Sequence, residues 1–312
     1  MSKRKKMSSV KSITKPIIAI LCADIHLSST PPIWRSNEPD WYAAMKRPLD
    51  ELKMLQKKYG CPIFCAGDMF DKWNSSAELI NWTIDNLPEM YAIPGQHDLP
   101  NHNLKEIKKS AYWTLVKAGK IIDIGKREWL DFDTFMLIGF PFGIKQEQNQ
   151  TGAPKNTLMI AIAHQYVWTK GCSHPNALPQ DMINPKNVSG YDVVIFGDNH
   201  KEFGIKVGKT VVFNCGSLIR RRSDEEYYTP QVGVLYSDGT IAPHFLDTSK
   251  DKHLKLQEGA INNSEIDLSG FIRVLEQLGD CGLDFKEAIK AYLQDKHISN
   301  QTKTIIYKAM GL

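Results

Sequence analysis

Each of five short apolar runs in the sequence is followed by side chains that coordinate metal ions in proteins. The runs occupy residues 17–23, 62–66, 90–93, 158–163 and 192–196. The side chains that follow them are, in chain order, Asp24, His26, Asp68, Gln96, His97, Asp98, His164, Asp198 and His200. One such group after one run would be commonplace on a protein surface. Five groups, each at the end of an apolar run, predict a single shared metal site.

The types of these side chains restrict the chemistry of the predicted site. Carboxylate, imidazole and amide ligands suit Mn²⁺, Mg²⁺, Fe²⁺ or Zn²⁺, and the lack of thiolates argues against a structural zinc site. Roughly six to eight candidate ligands are more than one ion needs. Two ions about 3.5–4 Å apart clamp a phosphoryl group and activate water at neutral pH. The ligand set therefore predicts a dinuclear site that acts on phosphate esters.

The apolar runs have the length and composition of buried strands. Helical spacing of apolar residues predicts helices over 41–60, 75–86 and 103–118, and further strands are expected over 131–138, 203–207, 210–214, 231–236 and 241–245. Strands that alternate with helices indicate a layered α/β architecture. In such sheets, binding sites form at the carboxyl ends of the strands. Glycines precede three of the ligand groups, where the backbone must turn sharply.

The order of these motifs resembles the signature of the calcineurin-like metallophosphoesterases. The matching segments are DIH (24–26), GDMFD (67–71), GQHD (95–98), AHQ (163–165) and GDNH (197–200). The segment NCGSLIR (214–220) further resembles SbcD-type DNA nucleases, which pair with an SMC-type ATPase. The resemblance covers about residues 17–246. It implies a four-layer α/β fold, in which a β-sandwich is flanked by helices.

The resemblance also implies a role for each candidate residue. The first metal site would comprise Asp24, His26, Asp68 and His200, with Asp68 bridging both ions, and the second would add Gln96, His164 and Asp198. His97 would be the catalytic acid, with Asp98 orienting it. The cofactors would be two divalent ions, with Mn²⁺ favoured over Mg²⁺, Fe²⁺ or Zn²⁺.

Two positions depart from the family pattern, and both belong to the second site. Gln96 stands where Asn is usual, and Asp198 stands where His is usual. Both replacements still offer oxygen, and the carboxylate should favour harder ions such as Mn²⁺ or Mg²⁺ over Zn²⁺. Alternatively, the two replacements weaken metal binding at the second site, or the second site is degraded.

The activity that the resemblance implies is hydrolysis of DNA, as an exonuclease and possibly an endonuclease, in repair, recombination or replication. One alternative is a phosphatase or phosphodiesterase acting on a small or protein substrate. Another is a non-catalytic DNA-end-binding subunit of an ATPase complex. An SbcC-like ATPase partner and a homodimer are expected only through the resemblance.

Four side chains are candidates for nucleic-acid contacts: Trp34, Arg35, Arg220 and Arg221. Aromatic rings stack on bases and arginines hold phosphates. The alternatives are a 31–42 loop that packs onto the core and a solvated mixed-charge turn after residue 220. The loop 170–190 is expected to form one wall of the cleft.

The remaining composition places limits on the function. The 312-residue chain has a net charge of +4, but its first 15 residues carry six basic groups and no acid, so the remainder is at −2. A protein that coats DNA through general basicity is thereby excluded. We expect a basic tail at 1–15, a phosphoesterase domain at 16–250, and a C-terminal helical segment at 265–312 that packs on the domain or docks an ATPase. Six scattered cysteines and the lack of a long apolar segment indicate a cytoplasmic protein.

Overall fold

The computed structural model describes residues 15–152, 154–173 and 177–254. The strands are β1 Ile17–Cys22, β2 Ile63–Cys65, β3 Met90–Ala92, β4 Ile121–Asp123, β5 Leu130–Asp131, β6 Phe135–Phe140, β7 Leu158–His164, β8 Val193–Gly197, β9 Phe203–Val207, β10 Thr210–Asn214, β11 Gln231–Tyr236 and β12 Ile241–Phe245. The α-helices are α1 Trp41–Tyr59, α2 Ala77–Asn86, α3 Ala111–Lys117 and α4 Pro185–Val188. The predicted tail and C-terminal helical segment lie outside the described residues.

The strands form two mixed sheets of six. The first has the order β12-β11-β1-β2-β3-β4 and the second β5-β6-β7-β8-β10-β9. β1 to β4 are mutually parallel, as are β6, β7, β8 and β10, while the other strands pair antiparallel. All five apolar runs therefore form parallel strands, and the carboxyl ends of these strands lie at the same edge of the two sheets.

The two sheets pack face to face. Successive side chains of a strand point to opposite faces of its sheet, so one set of side chains faces the other sheet. Leu21 and Phe64 of the first sheet meet Ile160 and Ile195 of the second in one core. The neighbouring Ile20 points the other way, into a core shared with the helices. A third core lies on the outer face of the second sheet. Two sheets with flanking helices confirm the predicted fold class.

Helix α1 forms as the sequence predicts. Its buried face is Trp41, Ala44, Met45, Leu49, Leu52 and Leu55. Asp40 caps the start by accepting the Ala43 backbone N–H, and Gly60 ends the helix with a φ of 62°.

The predicted helix over 103–118 is divided in two. A 3₁₀ segment at Leu104–Lys109 precedes α3, and Ser110 between them has an extended backbone and caps α3 through the Trp113 N–H. The predicted strand over 131–138 is likewise a hairpin of β5 and β6. The turn passes through Asp133 with a φ of 61°, and its N–H is held by Asp131. Local side-chain hydrogen bonds override the apolar pattern at both places.

Two other features of the described residues bear on the sequence predictions. Five cysteines (Cys22, Cys61, Cys65, Cys172 and Cys215) are free thiols. Across the described ranges, the structure contains no helix with the length and apolar character required to cross a membrane.

Candidate metal centre

Loops from both sheets bring most of the predicted ligands together. Three overlapping groups have potential ligand atoms within 4.8 Å of one another: Asp24 with His26 and His200; Asp24 with Asp68 and His164; and His26 with Asp71 and His97. The loops that follow β1, β2, β3, β7 and β8 therefore converge on one cluster.

Asp68 lies at the centre of this cluster and is fully buried. Its Oδ1 accepts the backbone N–H of His97 at 3.0 Å. Its Oδ2 has no hydrogen-bond partner in the described part of the chain. That oxygen lies 3.7 Å from His26 Nε2 and 3.5 Å from His164 Nε2. A buried carboxylate oxygen without a donor is costly unless a cation compensates it, so this atom fits a bridging metal ligand.

The first side of the cluster is formed by two imidazoles. His26 Nε2 and His200 Nε2 are 3.0 Å apart. Asp24 Oδ1 lies 4.0 Å from His26 Nε2. Burial lowers the pKa of His26, so its imidazole is neutral and keeps a lone pair for an ion. These three side chains fit one divalent cation.

The second side contains both residues that depart from the family pattern. His164 Nδ1 donates to the Ala66 carbonyl at 2.6 Å, which turns Nε2 toward Gln96 Oε1 at 2.5 Å. The Gln96 amide in turn donates to Asp198 Oδ1 at 2.7 Å. The Gln96 side chain, which is one methylene longer than the usual Asn, thus links His164 to Asp198 by hydrogen bonds. The structure therefore brings Gln96 and Asp198 together with His164, and their role as ligands of a second ion stays a prediction.

The ligand loops have strained backbones. Asp24, His26, Asp68 and Asp198 all have positive φ angles, between 51° and 81°. Residues other than glycine rarely adopt this conformation, and such strain concentrates at functional sites. The surrounding sheets hold the ligands in a geometry that the local chain would not choose.

The glycines before the ligands mainly allow atoms of neighbouring ligand loops to approach the backbone closely, and only some of them make a sharp turn. A Cβ on Gly95 would lie 2.0 Å from Asp68 Oδ1, although the backbone there is not left-handed. Gly67 has a φ of 101°, and a Cβ on it would lie 2.3 Å from His164 Nδ1. The expected sharp turn therefore applies to Gly67, whereas Gly95 makes room for a ligand.

Asp98 does not make the contact that was predicted for it. Its carboxylate accepts the backbone N–H groups of Met69, Phe70 and Gly95, at 3.0–3.1 Å. Burial and the neighbouring Asp68 raise the pKa of Asp98 to about 7, against the effect of these N–H donors. Asp98 therefore joins two ligand loops, and the prediction that it orients His97 is wrong.

The backbone of Asp71 orients His97 instead. His97 Nδ1 donates to the Asp71 carbonyl at 2.8 Å. Its Nε2 then faces the cluster, 4.0 Å from Asp68 Oδ2, and the side chain is 42% exposed. The Asp71 carboxylate is held by the Arg221 guanidinium at 2.7 Å. His97 is thus positioned by a loop that Arg221 fixes.

Glu225 is a functional candidate that sequence reasoning missed. Its Oε1 lies 3.6 Å from His200 Nδ1. Its Oε2 accepts the backbone N–H groups of Arg221 and Arg222. In the sequence it lies within a run of acidic residues that reads as a solvated turn, but the side chain is buried. Carboxylates in this position fix the orientation of metal-binding histidines.

The charges of the cluster depend strongly on one another. Burial raises the pKa of Asp24 to about 7, although His200 and His164 oppose the rise. Burial also lowers the pKa of His164, but the facing Asp68 carboxylate outweighs it and raises this pKa well above the usual value. Asp68 itself is held below its usual pKa, because His164, His26 and His97 outweigh its burial. The carboxylates and imidazoles of the cluster therefore shift one another's pKa values, in opposite directions for His26 and His164.

Two of the four predicted nucleic-acid contacts lie in the interior. The Arg35 side chain is 1% exposed and pairs with Glu38 at 2.5 Å and Asp251 at 3.0 Å. Trp34 stacks on His253 with ring centroids 5.2 Å apart. The packing alternative is the one that the structure supports, and neither side chain is offered to a nucleic acid.

The two remaining candidates have different surroundings. Arg220 pairs with Asp251 at 3.1 Å and belongs to the same ionic group as Arg35. Arg221 instead faces the cluster through Asp71 and lowers the pKa of His26 further. Of the four, Arg221 therefore lies nearest to the metal ligands.

Two cavities have residues of the cluster in their linings. One of about 440 Å³ includes His164 in its lining, and one of about 580 Å³ includes His97 and His200. Tyr166, Asp181 and Asp198 line both. The loop that was expected to wall the cleft contributes Asp181 to each cavity.

The fold and the cluster define a metal-dependent phosphoesterase, a hydrolase. Residues 19–202 match the family described as calcineurin-like phosphoesterase. The chain belongs to that family.

Comparison with solved structures gives matches at low sequence identity. A novel archaeal phosphodiesterase is 15% identical, with a TM-score of 0.38, over 73% of this chain and 99% of its own. A protein of Thermus thermophilus is 11% identical, with a TM-score of 0.43, over 75% of this chain and 100% of its own. No curated protein sequence matches the chain.

Proposed function

We propose that this chain is a phosphodiesterase that hydrolyses DNA, as an exonuclease and possibly also as an endonuclease. The observation that carries the proposal is that residues of the ligand cluster line two cavities, with Asp198 in both. A phosphate at the cluster has room for one ester substituent in each cavity. A monoester would need only one of them.

The described side chains fit two divalent cations, because Asp68 Oδ2 is an orphaned acceptor within reach of imidazoles on both sides. Asp24, His26, Asp68 and His200 would hold one cation, and Asp68, Gln96, His164 and Asp198 the other. Such a pair of ions neutralises charge on the phosphoryl group and activates water. Asp198 makes the second position more anionic, which favours Mn²⁺.

His97 is the proposed proton donor to the leaving oxygen. Its Nδ1 is committed to the Asp71 carbonyl, so Nε2 carries the transferable proton when the ring is charged. That nitrogen faces the cluster and the side chain reaches solvent. A positioned imidazole of this kind contributes roughly 10²–10⁴-fold to the rate.

Both basic and acidic side chains line the larger cavity, and the basic ones support a substrate that carries further phosphates. Lys201 and Arg222 line it, beside the cluster residues His97 and His200. Phosphates on either side of the scissile bond would be held by such groups. A role in DNA repair, recombination or replication, and an SMC-type ATPase partner, belong to the same proposal.

A small phosphodiester is the second candidate substrate. It is favoured by the burial of Trp34 and Arg35, which removes two expected contacts to a polymer. Hydrolysis of bis(p-nitrophenyl) phosphate without degradation of DNA would support this candidate.

The first experiment is a time course of end-labelled single- and double-stranded DNA in Mn²⁺. Asp68→Asn removes the bridging carboxylate charge, and Asp85→Asn on the exposed face of α2 is the matched control. We expect degradation by the wild type and by Asp85→Asn only. Binding of DNA without cleavage would overturn the nuclease proposal and favour an end-binding subunit.

A further inference from the structure

The smaller cavity, on the His164 side of the cluster, has a lining unlike that of a phosphate site. Its volume of about 440 Å³ is within the range of small-ligand sites. Beside aliphatic side chains, its lining contains amides and aromatic rings, among them Phe142, Gln165, Tyr166, Gln180, Asn184 and Asn187. Outside the metal-ligand residues, its charged lining side chains are Lys145 and Asp181.

The larger cavity has the opposite character. Lys201, Glu202, Arg222 and Glu225 line it. Most of the charged groups therefore lie on the His200 side of the cluster, and most of the amides on the His164 side. A substrate that fits both cavities has a neutral group with hydrogen-bonding edges at one end and a charged chain at the other.

Hydrogen bonds with Trp168 hold the segment 178–183, which contributes residues to the linings of both cavities. Trp168 Nε1 donates to the Leu178 carbonyl at 2.9 Å. The Trp168 backbone N–H donates to the Asp181 carbonyl at 3.1 Å, and its own carbonyl accepts from Ile183 at 3.0 Å. The smaller cavity is thus built into the fold and needs no loop closure to form.

We propose that the smaller cavity is a nucleobase subsite, so that the enzyme cleaves diesters that carry a nucleoside next to the scissile phosphate. This inference rests on the proposed phosphodiesterase function and specifies its substrate. Aromatic faces stack on bases, and amide side chains bond to the base edges. His164 and Asp198 of the cluster also line this cavity, so a base bound in it lies next to the reacting phosphate.

The subsite has a consequence for DNA strand preference. A base that enters the cavity has left its stack and its pairing partner. Extrusion from a duplex costs free energy, and the cost is least where the base is already unpaired. Single strands and frayed ends are therefore the preferred polymers.

The test compares two esters with the same leaving group. Methyl p-nitrophenyl phosphate and thymidine p-nitrophenyl phosphate (as the 5′ and 3′ esters) both release p-nitrophenolate, so they differ only in the retained group. Stacking of one base is worth roughly 5- to 150-fold. We expect kcat/KM for at least one thymidine ester to exceed that for the methyl ester by roughly tenfold or more.

Two variants locate the effect. Gln180→Ala and Asn187→Ala, both in the lining of the smaller cavity, should lower kcat/KM for the thymidine ester and leave that for the methyl ester unchanged. Gln180 is exposed, so its replacement does not threaten folding. Phe245→Ala, on the exposed face of β12 and outside both linings, is the matched control.

Equal kcat/KM for the methyl and thymidine esters would overturn the subsite and leave the phosphodiesterase function in place. An equal loss on both esters in the two variants would also overturn it. Failure to hydrolyse any of the esters would instead overturn the proposed function, and the subsite with it.

Discussion

Replacement of Glu225 by glutamine tests whether this carboxylate sets the metal-binding state of His200. The amide oxygen of the variant can keep both hydrogen bonds from the backbone N–H groups of Arg221 and Arg222. Its NH₂ group then faces His200 Nδ1. An NH₂ donor requires that nitrogen to be an acceptor, which moves the imidazole proton to Nε2. That is the nitrogen that faces His26 at 3.0 Å, so the tautomer that can bind an ion is disfavoured.

The expected magnitude follows from the geometry of the pair. Unit charges at 3.6 Å attract by about 5 kcal/mol at an effective dielectric constant of 20. The His200 side chain is 31% exposed, so solvent reduces this figure. Loss of such an outer carboxylate lowers metal affinity roughly 10- to 100-fold, or about 1.4–2.7 kcal/mol. We expect an effect in that range for Glu225→Gln.

Calorimetric titration with Mn²⁺ measures this effect, and a thermal melt of the metal-free protein accompanies it. Glu226→Gln is the matched control, because it is the adjacent residue and is exposed. The control should bind Mn²⁺ as the wild type does. Equal affinity in the two variants would refute the reasoning. A lowered Tm with unchanged affinity would show that Glu225 only braces the loop.

Three further predictions concern the same centre. Gly95→Ala should abolish Mn²⁺ binding, because the new Cβ would lie 2.0 Å from Asp68 Oδ1, whereas Gly152→Ala, with nothing within 4 Å, should bind normally in calorimetry. Mn²⁺ affinity should rise with pH through neutrality, because the raised pKa values of His164 and of Asp24 (about 7) make the ion displace protons. Titrations that give a flat pH profile would contradict this. Asp98→Asn should lower the free energy of unfolding by about 1–3 kcal/mol in urea melts. In the wild type both carboxylate oxygens accept backbone N–H groups, whereas the NH₂ group of the variant would face one of these N–H groups and leave it without an acceptor. An unchanged urea midpoint would show that those hydrogen bonds do not support the loops.

The sequence alone determined the parallel strands and the ligand loops that follow them. Strands such as β1 and β8 are buried on both faces, so they are continuous apolar runs that stand out from their surroundings. The carboxyl ends of parallel strands lie at one edge, so Asp24 and His200 were expected to meet although they are far apart in the chain. Local chemistry and sheet geometry were sufficient for that step.

Only the tertiary structure decided which charged side chains serve the site. Arg35 is neutralised by Asp251, and Glu225 faces His200, through contacts between distant segments. A run of charges has the same composition whether it is solvated or buried, because burial is set by what the rest of the chain packs against it. For the same reason, the sequence did not reveal that Asp98 ties together two loops or that a backbone carbonyl orients His97.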